Sequence, residues 1–467
     1  MNKERKVHPY IPNSVPETRK EMMDFIGIEK IEELYSEIPD HLKFKGEMNL
    51  PEALPSEYDL RRHVEGLLKK NKNTKNNLSF LGAGCWPHYV PAVVDEIVNR
   101  AEFLTAYCGD TYSDHGKFQA RFEFYSLMGE LLNLDAVSEP IYDWGAAAGL
   151  SMRMAARITG RNEVLIPKGI CPERLGVIKN LCQPDEMNNA IHIKYYDFDK
   201  ASGLADLKDL EDKLSEKTAG VYMETPTYFG VMETQGKEIV SLSKEKRAIP
   251  IAGVDPISLG VLASPADDGF DIVCGDLQPI GMHMLCGGGQ SGFIAFRDEE
   301  SFASECPLAM YTIVETQEEG EFAYAEILAE RTSYGTRDKG KDWVGTASGL
   351  WTIASAVYLS LMGPKGMAEV GETILQNSNY AKKKLNEIEG VKVLFGPSFK
   401  EFLVNFNDKG TSVEEVNKAL KEKGIFGGKD ISKEYPELGQ SSLYCITETH
   451  RKEDIDKLVE GIKEVLK

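Results

Sequence analysis

The segments IPIAGVDPISLG (Ile249–Gly260) and FDIVCGDLQPIG (Phe270–Gly281) decide the fold of this 467-residue chain. Each contains a short apolar run with β-branched residues, which predicts a buried strand. Asp255 and Gln278 follow at the ends of these two predicted strands. Because sites in open parallel sheets form beyond the carboxyl ends of strands, these two side chains are the first candidates for a functional site.

Strand and helix patterns alternate on both sides of these segments. Further apolar strands are predicted at IYDW, EVLIP, IHIKYYD, GVYMETP and SGFIAF. Apolar strands that alternate with helices predict βαβ units and a mostly parallel, doubly wound sheet. The chain is therefore expected to belong to the α/β class.

The pattern changes twice along the chain and predicts three regions. Residues 1–80 predict an N-terminal helical arm that clasps a subunit or a domain. Residues 81–345 predict the large α/β domain, whose last part, 315–345, is polar and is expected to be irregular. Residues 346–467 predict a linking helix and a small C-terminal α+β domain. This layout is that of the aspartate-aminotransferase-like fold, one candidate among several doubly wound folds.

Composition excludes several classes of partner. The net charge of −20 disfavours nucleic acid and anionic membranes, since no block of Lys or Arg offsets the repulsion. No apolar run of about eighteen residues predicts a membrane span. The eight Cys form no C-x-x-C pair, which argues against a zinc site and suits a reducing cytosol, so we expect a cytoplasmic protein.

Asp255 needs a partner when it is buried, and a protonated ring nitrogen and a backbone cap are both open. In many α/β enzymes that use pyridoxal phosphate, such an Asp pairs with the pyridine nitrogen. A Lys one strand later then carries the cofactor as a Schiff base. Here Gln278 and Pro279 stand at the place of that Lys. Tyr228, at another strand end, is expected either to flank a planar ring or to serve in the core or an interface.

Three further candidates lie in loops. His88 and His115 are found among glycine and aromatic residues. Asp114 precedes His115, and because adjacent side chains point to different sides, each needs another partner for acid–base work. A turn cap is the alternative for Asp114. The stretch Asp143–Ile158 opens a helix after a strand and predicts either a phosphate seat or close packing. No metal-binding motif is present.

Several motifs occur in an order that resembles one family. They are PYIPN (Pro9–Asn13), FLGAG…HYVPAVVDEIVNRAEFLTAY, VDPISLG, YLSLMGPKG (Tyr358–Gly366), GPSFKEFLV (Gly396–Val404) and KGIFGGKDISKEYPEL…TET (Lys423–Thr449). Together they resemble the alpha subunit, or N-terminal half, of the glycine cleavage P-protein. The resemblance covers nearly the whole chain.

The resemblance implies the fold of pyridoxal-phosphate transferases and the activity of glycine dehydrogenase (aminomethyl-transferring). An alpha chain of this family pairs with a beta chain that carries the Schiff-base Lys, in an α2β2 assembly that passes an aminomethyl group to the lipoyl arm of H-protein. Gln278 and Pro279 match the His-Lys of the beta type. Since proline has no side-chain amine, this chain is not expected to bind pyridoxal phosphate covalently. Asp255, Tyr228 and Gln278 would then form a vestigial site.

Some loops depart from the family pattern. CGDTYSDHG (Cys108–Gly116) stands where typical alpha subunits resemble PYQPEISQG. The stretch Glu330–Thr346 replaces a basic one. Because loop sites change chemistry on a preserved fold, a divergent paralogue acting on another amine or amino acid is the alternative hypothesis. A purely structural protein with a decayed site is a third.

Overall fold

The computed structural model describes residues 10–46, 48–104, 117–183, 189–285, 290–345 and 348–467. The chain divides into two compact units, Met1–Asn71 and Lys72–Lys467. In the first unit, helices α1 (Pro16–Ile26) and α2 (Glu57–Leu68) bury no side chain. The predicted cap of α2 is confirmed, because the Ser56 hydroxyl accepts a hydrogen bond from the Asp59 N–H at 3.3 Å.

All the strands found among the described residues lie in the second unit. They are β1 (Leu78–Ser79), β2 (Ala136–Val137), β3 (Glu163–Pro167), β4 (His192–Tyr196), β5 (Thr218–Thr225), β6 (Ile249–Val254), β7 (Ile272–Asp276), β8 (Gly292–Phe296), β9 (Tyr311–Glu315), β10 (Phe322–Glu326), β11 (Lys392–Leu394), β12 (Glu401–Asn405), β13 (Ile425–Phe426), β14 (Lys429–Asp430) and β15 (Ser441–Cys445).

Its helices alternate with these strands as the sequence predicts. They are α3 (Ala92–Val98), α4 (Phe118–Leu132), α5 (Trp144–Thr159), α6 (Pro172–Cys182), α7 (Leu207–Lys213), α8 (Gly236–Glu245), α9 (Pro265–Asp268), α10 (Glu300–Ala303), α11 (Ser333–Thr336), α12 (Gly349–Asn386), α13 (Val413–Glu422) and α14 (Lys452–Val465). Helix α12 is kinked at Gly363, whose φ of 58° is not helical and which precedes Pro364.

The second unit is built on a seven-stranded and a four-stranded sheet, and we call the parts around them the large and the small domain. The seven-stranded sheet forms the centre of the large domain. Its strand order is β2-β8-β7-β6-β5-β3-β4. Strands β4, β3, β5, β6 and β7 all run parallel to one another. Strand β8 pairs antiparallel with both β7 and β2. The predicted mostly parallel α/β sheet is therefore confirmed. The parallel direction brings the carboxyl ends of β5, β6 and β7 to one edge.

Both faces of this sheet are buried, which explains why its strands are almost continuously apolar. Along β7, Ile272 and Cys274 pack in one hydrophobic cluster, while Val273 between them packs in another. This alternation follows from the two-residue period of a strand. Helices therefore cover the sheet on both sides, as in a doubly wound fold.

The small domain is built on the four-stranded antiparallel sheet β11-β12-β15-β14. Helices α13 and α14 pack against each other beside it. One prediction was wrong: the polar region 315–345 contains strand β10, which pairs antiparallel with β9. The sequence signal is weak there because both strands are short and largely exposed, and acidic residues surround their turn.

Among the described residues, no helix combines the length and apolar character that crossing a bilayer requires.

Close backbone approach between the two domains requires glycine at position 230. Gly230 has a φ of +81°, and a Cβ atom there would lie 1.9 Å from the Glu401 carbonyl oxygen of β12. Gly410 has a similar φ of +64° but open space around it. An alanine at Gly410 would therefore meet backbone strain alone, whereas an alanine at Gly230 would meet both strain and steric overlap.

We expect Gly410→Ala to lower the free energy of unfolding by about 1–2 kcal/mol, the usual cost of a left-handed residue with a Cβ. Gly230→Ala should cost at least about 2 kcal/mol more, because overpacking is added. Urea denaturation of both variants measures the difference. Equal losses would contradict the crowding at Gly230.

Candidate functional site

Asp255 lies directly after β6 at the carboxyl edge of the sheet and is buried. Its Oδ1 accepts a hydrogen bond from the Ile257 N–H at 3.2 Å, which caps the 3-10 turn Pro256–Gly260. Its Oδ2 lies 2.7 Å from the Lys400 Nζ. The carboxylate therefore has both a backbone cap and a cationic partner from the small domain.

Lys400 continues this ion pair into a buried network. Its Nζ also lies 2.9 Å from the His88 Nε2. The His88 Nδ1 lies 2.9 Å from the Glu448 Oε2, and the Glu448 Oε1 accepts a hydrogen bond from the Tyr89 N–H at 2.8 Å. Burial opposes ionisation of this glutamate, but His88 and the N–H group outweigh it and lower the pKa of Glu448 to about 2.

Trp86 covers the Lys400 ammonium, which lies 3.7 Å from the centroid of the indole ring. Gln278 holds the backbone of Trp86 on both sides. The Gln278 Oε1 accepts from the Trp86 N–H at 3.1 Å, and the Gln278 Nε2 donates to the Trp86 carbonyl at 3.0 Å. Gln278 therefore fixes the loop that places the indole beside Asp255.

A second charged cluster lies at the ends of β5 and α5. The Arg174 Nη1 lies 2.6 Å from the Glu224 Oε1, and its guanidinium carbon is 3.7 Å from the centroid of the Trp144 ring. Burial disfavours the guanidinium charge, but Glu224 raises the pKa of Arg174 above its ordinary value. The Tyr222 hydroxyl donates to Glu224 at 2.9 Å and accepts from the Trp144 Nε1 at 2.9 Å.

A third carboxyl, Asp276, ends β7 and is buried. Burial raises the pKa of Asp276 to about 7, although N–H groups of Gln278 and Ser291 partly offset the effect. Its Oδ1 accepts from the Gln278 N–H at 2.8 Å. Among the described residues no salt bridge joins Asp276 to a cation, whereas Asp255 pairs with Lys400 and Glu224 pairs with Arg174.

The remaining space between these clusters is small. A cavity of about 20 Å³ is lined by residues of both domains, among them Trp86, Trp144, Arg174, Asp255 and Lys400. A cavity of about 10–15 Å³ on this measure holds one water molecule, whereas pockets for small ligands are about 300–1,000 Å³. The cavity therefore admits a water molecule and little else.

Tyr228 also lines this cavity, but most of its contacts are those of a core residue. Its hydroxyl donates to the Glu434 Oε2 at 2.9 Å and accepts from the Lys429 Nζ at 3.1 Å. Its ring lies 6.0 Å from that of Tyr435. Of the two roles open to Tyr228, the geometry favours packing between the domains.

The start of α5 is capped by the chain itself. Asp143 is the N-cap, and its Oδ1 accepts from the Ala146 N–H at 2.7 Å. Gly145 and Gly149 lie so close to α6 that a Cβ at either would be within 3.0 Å of Val177 or Leu181. Close packing therefore accounts for the small residues, and a carboxylate occupies the place expected for an anion.

Of the predicted site residues, the structure brings His88, Asp255 and Gln278 together. Asp114 and His115 lie outside the described residues. Sequence reasoning missed four members of the site, which are Trp86, Arg174, Lys400 and Glu448. A lysine directly before the apolar strand EFLVN was a usable signal for Lys400, since a charged residue entering a buried strand needs a partner. Among the described residues, no three His, Cys, Asp or Glu side chains are grouped to hold a metal ion.

The fold is that of the pyridoxal-phosphate-dependent transferases, as predicted. Sphingosine-1-phosphate lyase of Burkholderia pseudomallei superposes with a TM-score of 0.63 at 14% identity, over 92% of this chain and 94% of that chain. At this identity the likeness concerns the fold alone.

The family follows from closer similarities. Residues 8–462 match the family model of the glycine cleavage system P-protein, and the chain belongs to that family. A relative from Pyrococcus furiosus, named probable glycine dehydrogenase (decarboxylating) subunit 1, is 37% identical over 460 residues, covering 98% of this chain and 99% of the relative. Glycine decarboxylase (P-protein) in an inhibitor-bound crystal structure superposes with a TM-score of 0.81 at 28% identity, over 99% of this chain and 100% of that chain. The predicted family is confirmed.

Pyridoxal phosphate is the cofactor that this fold implies, and the residues of this chain do not fit it. The cavity beside Asp255 has a volume of about 20 Å³. Lys400 already pairs with Asp255, and Asp143 caps the helix start where a phosphate was expected.

Acid should weaken the network through Glu448. Because its pKa falls from 4.5 to about 2 on folding, Glu448 stabilises the fold above about pH 4.5 and loses this contribution as pH falls towards 2. We expect Glu448→Gln to lower the free energy of unfolding at pH 7 by about 3 kcal/mol, and by progressively less below pH 4.5.

Urea denaturation between pH 7 and pH 3 measures this difference. Glu453→Gln, at an exposed position of the same segment, is the matched control and should change stability by less than about 0.5 kcal/mol. A loss for Glu448→Gln that is equal at pH 7 and pH 3 would contradict the role of the ionised carboxylate.

Proposed function

We propose that this chain is subunit 1, the alpha subunit, of a pyridoxal-phosphate glycine decarboxylase (aminomethyl-transferring) of the glycine cleavage system. The observation that carries the proposal is the family match over residues 8–462. In this proposal the chain is active only in a cytoplasmic complex, an oxidoreductase that acts on the CH–NH2 group of glycine. The partners are a beta subunit, in an α2β2 assembly, and the lipoyl H-protein.

The beta subunit of this complex holds the pyridoxal phosphate and supplies the lysine that carries it. Two features of this chain support that division. Pro279 has no amine at the position matched to the cofactor lysine. Asp255, the expected partner of a ring nitrogen, is already paired with Lys400 at 2.7 Å. This chain therefore contributes a folded partner surface and loops to a site that lies on another polypeptide.

The unit Met1–Asn71 supplies one partner surface. Neither α1 nor α2 buries a side chain, and large apolar residues are exposed along the unit, including Phe25, Phe44 and Tyr58. Because a soluble chain rarely leaves so many large apolar side chains exposed, such a surface marks an interaction site. We assign it to the beta subunit, in line with the clasp predicted for the arm.

A divergent paralogue is the second candidate function. The observation in its favour is the sequence CGDTYSDHG (Cys108–Gly116), which departs from the pattern of typical alpha subunits. Asp114 and His115 in this loop would supply polar groups for another amine or amino-acid substrate. This candidate keeps the partner subunit and changes only the substrate.

Isotope exchange tests the proposed activity. The chain, its beta subunit and lipoyl H-protein together should exchange the carboxyl carbon of glycine with labelled bicarbonate. The isolated chain should show neither this exchange nor the visible absorbance of bound pyridoxal phosphate. An intact complex that exchanges another amino acid and leaves glycine untouched would replace the proposal by the divergent paralogue.

Point variants test the partner surface. Phe25→Ser and Phe44→Ser should each weaken binding of the beta subunit by tenfold or more, since burial of a phenylalanine contributes about 1.5–3 kcal/mol. Lys45→Ser, at the exposed position next to Phe44, is the control and should leave the affinity nearly unchanged. Isothermal titration measures all three. Unchanged affinity in both phenylalanine variants would exclude this surface as the contact.

A further inference from the structure

Asp255, Lys400 and Trp86 form a stacked set at the edge of the sheet. The ammonium of Lys400 lies 2.7 Å from the Asp255 Oδ2 on one side and 3.7 Å from the centroid of the Trp86 ring on the other. All three side chains are buried. A pyridinium ring would offer a carboxylate at this place the same two things, a positive charge and a flat aromatic surface.

We propose that Lys400 and Trp86 are a built-in substitute for a pyridinium cofactor in this chain. Lys400 supplies the charge that keeps the buried Asp255 carboxylate paired, and Trp86 fills the volume of the ring. The chain therefore keeps the architecture of a cofactor site without needing a cofactor to fold. This inference rests on the fold and the site geometry, and it holds whichever amine the complex acts on.

Hydrogen bonds to the backbone of Trp86 and of the next residue hold the indole in place. Gln278 bonds the Trp86 N–H and carbonyl at 3.1 and 3.0 Å, and its amide also donates to the Met282 carbonyl at 3.1 Å. The Thr447 hydroxyl donates to the next carbonyl, that of Pro87, at 2.7 Å. These buried hydrogen bonds restrict the loop to one position.

The ammonium of Lys400 lies where it can neutralise the Asp255 carboxylate. An unpaired carboxylate in the interior is costly, so Asp255 requires a cation. Lys400 reaches it from the small domain, and His88 at 2.9 Å and the indole face take up the other sides of the ammonium. The residual cavity of about 20 Å³ leaves no room for a ring in addition to these side chains.

Removal of both side chains should reopen the ring site. The double variant Trp86→Ala/Lys400→Ala frees more volume than pyridoxine occupies and leaves Asp255 unpaired. Pyridoxine is the probe because it has the ring nitrogen but no aldehyde, and so cannot attach to surface lysines. We expect the variant of the full chain to bind one pyridoxine by equilibrium dialysis and to melt at a higher temperature in its presence. Wild type should show neither effect.

Two controls separate a specific site from a general cavity. Adding Asp255→Asn to the double variant should abolish pyridoxine binding, because the partner of the ring nitrogen is lost. The pair Trp343→Ala/Lys382→Ala removes an exposed tryptophan and a partly buried lysine elsewhere and should not create binding. Trp86→Ala alone should bind at least tenfold more weakly than the double variant.

Each other result overturns the inference. Pyridoxine binding by wild type would mean that Trp86 and Lys400 do not occupy the ring site. Pyridoxine binding that persists after Asp255→Asn would show that the carboxylate does not hold the ring nitrogen. Full binding by Trp86→Ala alone would show that Lys400 does not occupy the place of the ring charge. The double variant could show no cooperative melting by itself. In that case pyridoxine present during refolding must restore a cooperative transition. If pyridoxine does not restore it, the proposal is wrong. A folded double variant that does not bind pyridoxine would also contradict the proposal.

Discussion

The buried ion pair between Asp255 and Lys400 is the interaction on which the rest of the site depends. Two opposite charges 2.7 Å apart attract strongly in a medium of low polarity, but each has lost its water shell. The pair is therefore tenable because further groups contact both of its charges. The Ile257 N–H caps the carboxylate, while His88 and the Trp86 ring contact the ammonium.

The same pair joins the two domains of the body. Asp255 follows a strand of the seven-stranded sheet, and Lys400 directly precedes β12 of the four-stranded sheet. Glu401, the next residue, accepts a hydrogen bond from the Ala83 N–H at 2.6 Å and also crowds Gly230 through its carbonyl. Electrostatics and close backbone contact thus act at neighbouring positions and hold the two sheets in one arrangement.

The sequence was sufficient for the architecture because strand burial and helical spacing are local patterns. The alternation around IPIAGVDPISLG and FDIVCGDLQPIG predicted the parallel sheet, and the Ser56 cap predicted the start of α2. The hairpin of β9 and β10 was missed because its strands are short, largely exposed and surrounded by acidic residues. For the site, strand ends identified Asp255 and Gln278, which lie on one domain.

The partners of those residues could not be predicted, because they come from distant parts of the chain. Lys400 lies 145 positions after Asp255, and Glu448 is 360 positions after His88, so that only the packing of two domains brings each pair together. The choice between a ring nitrogen and a backbone cap for Asp255 was likewise open in the sequence. In the structure Asp255 has both a backbone cap and a lysine partner.

The way the site is filled determines what a pyridine ring would meet in this chain. Pro279 is one difference among several that agree with one another. Lys400 neutralises Asp255, Trp86 takes the ring volume, Gln278 fixes Trp86 and Asp143 caps the helix start. Since each of these would have to change before a pyridine ring and a phosphate fitted, a lysine at position 279 alone would meet an occupied site. The character of this site therefore resides in a set of side chains that contact one another, and not in Pro279 alone.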